Sequence, residues 1–185
     1  MRMFTVNLKH HLAALGASVL LSGMVMAETV PPELMERLRT APEQEAPRIA
    51  REVETIWGRS GSAAMDLLLK RGRDAMEEED YLHAIEHFTA LTDHAPEFAE
   101  GYHARAEAFF RSGRYGMALA DLETALALNP ENYEAIFGLG VMIQEFGDPG
   151  RAAELYRRVL AIYPHHPHAG EALTRLRRDG IGREL

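Results

Sequence analysis

Three prolines, Pro96, Pro130 and Pro164, stand 34 residues apart, and the stretches between them repeat one alternation of small and large side chains. A step of 34 superposes Gly72, Ala106 and Gly140. It also superposes Ala84, Ala118 and Ala152, and then Phe88, Leu122 and Tyr156. A fixed period of this length constrains the chain more than any single motif. Each unit is one supersecondary element that cannot bury its apolar face alone, so neighbouring units must stack into a continuous core.

Within each period the apolar residues recur at helical spacing. The pattern predicts helix pairs over 65–78 and 81–94, 98–112 and 115–128, and 132–146 and 149–163, with one further helix over 166–178. Asn129-Pro130, Asp148-Pro149 and His166-Pro167 each offer a capping residue followed by a proline at the first helical position. Gly113 and Gly147 fall in the turns inside the second and third pairs, where glycine accepts a positive φ. The first pair has Glu79-Asp80 there instead. Ahead of the pairs, 31–39 and 46–57 form short helices separated by Pro42 and Pro47. Ile49, Val53, Ile56 and Trp57 share one face of the second, and the expectation is that Trp57 packs on the first repeat as a cap.

The first helices of the units carry large, small and aromatic residues as Leu68-Arg71-Gly72-Ala75, Tyr102-Arg105-Ala106-Phe109 and Ile136-Leu139-Gly140-Ile143. In this pattern the chain resembles the tetratricopeptide repeat family, with Arg71 and Arg105 where a leucine is common, which implies wetter edges at those two positions. The resemblance implies an all-α fold, a right-handed α-solenoid of three repeats (63–96, 97–130 and 131–164) between an N-terminal cap and linker at 28–62 and a C-terminal capping helix and tail at 165–185. It also implies a binding architecture rather than a catalytic one.

Residues 1–11 carry Arg2 and Lys9 and no acid, 12–26 are an apolar run, and Val25-Met26-Ala27 end it with small residues. These are the parts of a cleaved secretory signal at 1–27. A run of fifteen residues, interrupted by Gly16, Ser18, Ser22 and Gly23, falls short of the ~20 that span a bilayer, so no stable membrane span is expected after cleavage. Export of this repeat type points to the periplasm. The remaining 158 residues hold 18 basic and 28 acidic side chains, a balance that argues against nucleic acid, whose binding rests on neutralised phosphates. Zero cysteines exclude disulfides and thiolate chemistry.

No catalytic set emerges. Gly58-Arg59-Ser60-Gly61-Ser62 lacks the spacing and the preceding strand of a nucleophile elbow, and reads as a linker with an N-cap at Ser62. Glu77-Glu78-Glu79-Asp80 reads as a solvated turn. His83 and His87 share a helix face but lack further converging ligands, and His165, His166 and His168 read as a loop and cap. No metal or cofactor is expected.

In the family, ligands lie along the first helices of successive repeats. Carried onto this chain, that surface gives Leu69, His103 and Phe137; then Arg73, Glu107, Val141 and Arg175; then Met76, Phe110 and Gln144. The lysine, asparagine and arginine clamp with which heat-shock-type members hold a C-terminal carboxylate is matched here by Leu69, Arg73, Ala104, Glu134 and Gly138, of which only Arg73 fits. The expectation is therefore a protein-binding groove, with Phe110, Phe137 and Val141 as apolar anchors and Arg73, His103 and Glu107 as polar handles, for an extended segment or an amphipathic helix. A self-associating protein whose groove receives a neighbour's residues 28–39 is the alternative, with a metal carrier or enzyme behind it. The oligomeric state and the partner's identity are not legible.

Overall fold

A computed structural model describes residues 29–178, so the leader expected at 1–27 and the tail at 179–185 lie outside the described residues. Among the described residues there are nine helices and no strand. They are α1 (Pro32–Thr40), α2 (Ala46–Trp57), α3 (Ala63–Glu77), α4 (Tyr81–His94), α5 (Ala99–Arg111), α6 (Tyr115–Leu128), α7 (Tyr133–Glu145), α8 (Pro149–Ile162) and α9 (Ala169–Arg178). The hairpins α3–α4, α5–α6 and α7–α8 stack in order, α4 on α5 and α6 on α7, and α9 closes the end against α8. This is the expected three-unit solenoid.

The superposed small residues set the spacing of each hairpin. A Cβ added at Gly72 would enter the Phe88 ring, and one at Gly140 would lie 2.7 Å from Cε1 of Tyr156. Ala106 and Leu122 make the corresponding pair in the middle unit and are both buried. Ala84, Ala118 and Ala152 on the second helices are fully buried. The turns follow the sequence too: Gly113 and Gly147 have φ of 78° and 87°, and in the first hairpin Glu79 takes φ of 59°, a left-handed conformation less favourable for a side chain with a Cβ.

Several local expectations are corrected. Asp148 does cap α8, accepting from the Arg151 N–H, with Pro149 at its first position. The cap of α7, however, is Asn132, which accepts from the Ala135 N–H, while Asn129 holds the preceding turn by accepting from Glu131. The last helix starts at Ala169 rather than near residue 166, because the buried His166 ring accepts from the Ala169 N–H through Nδ1 and acts as its cap. In the linker Ser62 holds the N-cap position of α3 without a side-chain capping bond, and the buried serine is Ser60. Its Oγ and backbone N–H both donate to Asp66 Oδ1, at 2.6 and 2.8 Å.

The largest correction concerns α1 and α2. Trp57 does not pack on the first repeat. Its ring lies 5.0 Å from that of Tyr133 at the start of α7. Tyr133 is fully buried, and its hydroxyl donates to Glu54 Oε1 at 2.8 Å, with the Ala50 carbonyl 3.3 Å from the same oxygen. Leu34, Met35 and Leu38 of α1 and Ile49 and Val53 of α2 join one core with Tyr156 and Val159 of α8 and Leu173 of α9. Arg39 pairs with Glu131. The N-terminal helices thus fold back across to the third repeat. The chain's own core covers the apolar face of α1, so α1, the described helix of the expected arm, is not left over for a neighbour's groove.

The tight approaches give a prediction of opposite signs. Gly140→Ala must displace the Tyr156 ring and should destabilise by ~1–3 kcal/mol. Gly116→Ala, in the first turn of α6 with nothing within 4 Å of the added carbon, should be neutral or stabilise by up to ~1 kcal/mol through the unfolded state. Urea melts of both variants check the pair, and equal losses would contradict the packing described.

Candidate functional site

The first helices α3, α5 and α7 line a concave cavity of about 590 Å³. Arg73, His103, Glu107, Phe110, Phe137 and Val141 all border it, and so does Met76. Six of the eight expected site residues therefore come together. Leu69 does not join them: it is only 2% exposed and packs in the core with Phe88 and Leu91. Arg175 is exposed on α9 and outside the lining. Gln144 is engaged elsewhere, its side-chain oxygen accepting from the Tyr156 hydroxyl at 2.9 Å.

Phe137 is less free than an anchor needs to be. Its ring is half-buried, 5.5 Å from Tyr156 and 5.0 Å from His166, so it supports the third repeat as well as facing the cavity. Phe110 is better placed. It sits near the C-terminal end of α5, 5.5 Å from Tyr115, which lies 6.0 Å from Phe146. Tyr115 and Phe146 are 43% and 54% exposed, so an aromatic row carries the apolar lining out over the turn-side rim.

The opposite end of the cavity is charged. Glu54 of α2, Glu100 and Glu134 all line it. Arg73 donates to Glu100 Oε1 at 2.5 Å, and His103 Nδ1 lies 3.2 Å from Glu100 Oε2. Burial alone would push the Glu100 carboxyl up, but His103 and Arg73 outweigh it and hold it below its ordinary value. Burial likewise pulls the His103 imidazole down, and Glu100 overcomes that and raises it. Glu54 is raised, mainly by burial, with Glu134 and Glu100 adding repulsion against the stabilising Tyr133 hydroxyl.

Sequence reading missed Glu54 and Glu100, and named Glu134 only as a clamp position that does not fit. Glu100 was within reach: stepping back by 34 from Glu134 gives it, one turn ahead of His103 as Glu134 is of Phe137. Glu54 follows no period and arrives only through the fold-back of α2. The His83 ring engages Asp80, 2.6 Å from Nδ1 to Oδ2, on an exposed surface. No group of three or more metal-capable side chains converges among the described residues, and no described helix is long and apolar enough to cross a membrane.

Stacked helical hairpins around a concave cavity define an α-solenoid binding module. The tetratricopeptide repeat profile matches residues 69–120 and 103–167, more than half of the chain, and the chain belongs to that family. It is 29% identical over 131 residues to a TPR repeat-containing protein of Rhizobium etli, covering 71% of this chain and 64% of that one. It is 32% identical over 108 residues to small glutamine-rich tetratricopeptide repeat-containing protein 2 of Saccharomyces cerevisiae, covering 58% of this chain and 31% of that one. The chain thus spans less than two thirds of these relatives. Among solved structures, the first TPR of Spaghetti (RPAP3) bound to the HSP90 peptide SRMEEVD is similar, with a TM-score of 0.59 and 25% identity over 62% of this chain and 91% of that one. The Sgt2 TPR domain of Aspergillus fumigatus gives 0.60 at 25% identity, over 64% and 80%.

The coupled group predicts a pH dependence. His103, raised in the fold, contributes fully below its unfolded pKa, and the contribution is lost as pH rises through the folded value. Glu100, lowered, contributes above its unfolded pKa and loses that as pH falls through the folded one. The pair should therefore stabilise most in mild acid, between the two ordinary values of about 4.3 and 6.5. In Glu100→Gln the His103 titration, followed by NMR of its ring, should move down from that of the parent, and the mild-acid gain in melting temperature should shrink. An unmoved titration would remove the ion pair from the account.

Proposed function

We propose that this protein is an exported, non-enzymatic adaptor or assembly factor of the cell envelope, which holds a segment of a protein partner in its concave groove. The carrying observation is the cavity itself, built from three successive first helices and lined by apolar side chains that continue over an exposed aromatic rim. Surfaces of this kind accept a helix or an extended segment through a few apolar anchors. A TPR domain similar to this one has been solved bound to a peptide, which supports the same use here. The groove's polar groups are engaged in ion pairs with one another rather than in a nucleophile–base arrangement, which favours binding over catalysis. Export to the periplasm rests on the basic, apolar and small-residue order of 1–27.

Three measurements test this reading. Protein recovered from the periplasmic fraction should begin at Glu28, and an intact Met1 in the cytoplasm would overturn the export. A photo-crosslinking residue at position 110 should capture a protein partner in cells, where one at position 83 on the outer surface should not. Phe110→Ala with Val141→Ala should weaken capture by about a hundredfold, since anchors cost ~2 kcal/mol or more at best and valine less. His83→Ala with His87→Ala should leave capture unchanged. Loss of capture with the histidine pair alone would move the site to the outer face.

A further inference from the structure

The chemistry of the lining selects the occupant. Five glutamates border the cavity, Glu54, Glu77, Glu100, Glu107 and Glu134, against two arginines, Arg73 and Arg111. Arg73 is committed to Glu100 at 2.5 Å, whereas Arg111 and Glu107 form only a loose, exposed pair at 3.7 Å that either member can leave. His103 also turns to Glu100, and His166 approaches Glu134 to 3.2 Å. An acidic tail entering this groove would meet one loosely held cation, Arg111, and would pass five carboxylates.

Position along the groove adds to this. At the end formed by the first turns of α5 and α7, Glu54 and Trp57 of α2 pack on Tyr133 at the start of α7. At the other end the path leads out past Glu77, Glu107 and Phe110 to the rings of Tyr115 and Phe146. Exposed aromatic faces attract lysine and arginine side chains as well as apolar ones. Acid and aromatic character therefore coincide along the open rim.

We propose that the groove takes a short protein segment in which apolar side chains alternate with lysine or arginine, its apolar residues against Phe110, Val141 and Met76 and its cations against Glu77 and Glu107. The inference rests on the groove being the binding surface and adds the chemical class of what it binds. It separates this chain from the similar domain solved with SRMEEVD, a peptide ending in three acidic residues among its last four.

The test uses the purified protein and three short fluorescent peptides: one alternating lysine with leucine and phenylalanine, its counterpart with every lysine replaced by glutamate, and SRMEEVD. Anisotropy is read at ~0.15 M salt, where distant charges are largely screened. The lysine peptide should bind at least tenfold more tightly than either acidic one. Glu77→Gln with Glu107→Gln, both exposed and outside the core, should weaken it about fivefold to tenfold. Glu123→Gln with Glu154→Gln, the same charge change on the second helices, should not. Equal weakening by the two pairs would reduce the effect to net charge and overturn the proposal. If an acidic peptide binds best and Phe110→Ala abolishes that binding, the charge assignment falls and the groove stands. If no peptide's binding responds to Phe110→Ala, both fall together.

Discussion

Everything in this solenoid depends on how closely two helices of one hairpin can approach. At Gly72 and Gly140 the missing Cβ is the space into which the rings of Phe88 and Tyr156 fit. That contact fixes the separation of α3 from α4 and of α7 from α8. The separation fixes where the next hairpin can dock, and docking fixes the curvature that makes α3, α5 and α7 the wall of a cavity. In a stacked array each unit takes its stability partly from its neighbours, so an error at one approach is passed to the rest. The aromatic partners at the first and third approaches are fully buried, which couples the geometry of the groove to the core with little slack.

The middle unit achieves the same geometry with a different device. Arg105, where a leucine is usual, reaches across to Asp121 with two bonds of 2.7 and 2.9 Å and to Thr92 Oγ1 at 2.6 Å. It ties α5 to both α4 and α6, with its guanidinium 5.5 Å from the centre of the Tyr102 ring. A group of this kind costs desolvation on folding and strands a buried partner if either member is removed. Its value lies in direction as much as in energy: a planar fork accepts one orientation of a carboxylate, whereas a leucine would tolerate sliding.

The stacked helices and most of the groove were legible because both obey the 34-residue step. The family's binding surface, carried along the 34-residue step, placed Phe110, Phe137 and Val141 together, and the same step applied one turn earlier yields Glu100 and Glu134. Leu69 was misplaced because helical spacing identifies the angular position of a residue but not the depth to which its neighbour buries it. Arg105 was read as a wetter edge because pairing with Asp121 is a property of two helices, not of one. The fold-back of α1 and α2 was illegible for a related reason: an amphipathic face declares that it will be covered and is silent about what will cover it. A partner 79 residues away, as Tyr133 is from Glu54, leaves no local trace.

That fold-back changes the order in which the molecule can become complete. A simple repeat array can grow from its N-terminus, each unit settling on the one before. Here Ile49, Val53 and Trp57 precede the repeats in the chain, yet their cover comes from α7, α8 and α9, which follow the first two repeats. Joining residues so distant carries a closure cost that rises only slowly with loop length, so the final fold is not weakened by it. The time before burial is what lengthens. Until the third repeat exists, the N-terminal helices present an uncovered apolar face, the kind of surface that recruits chaperones or aggregates. The first two repeats can form a scaffold in the meantime, but Glu54 and Trp57 meet Tyr133 only once the third repeat is in place.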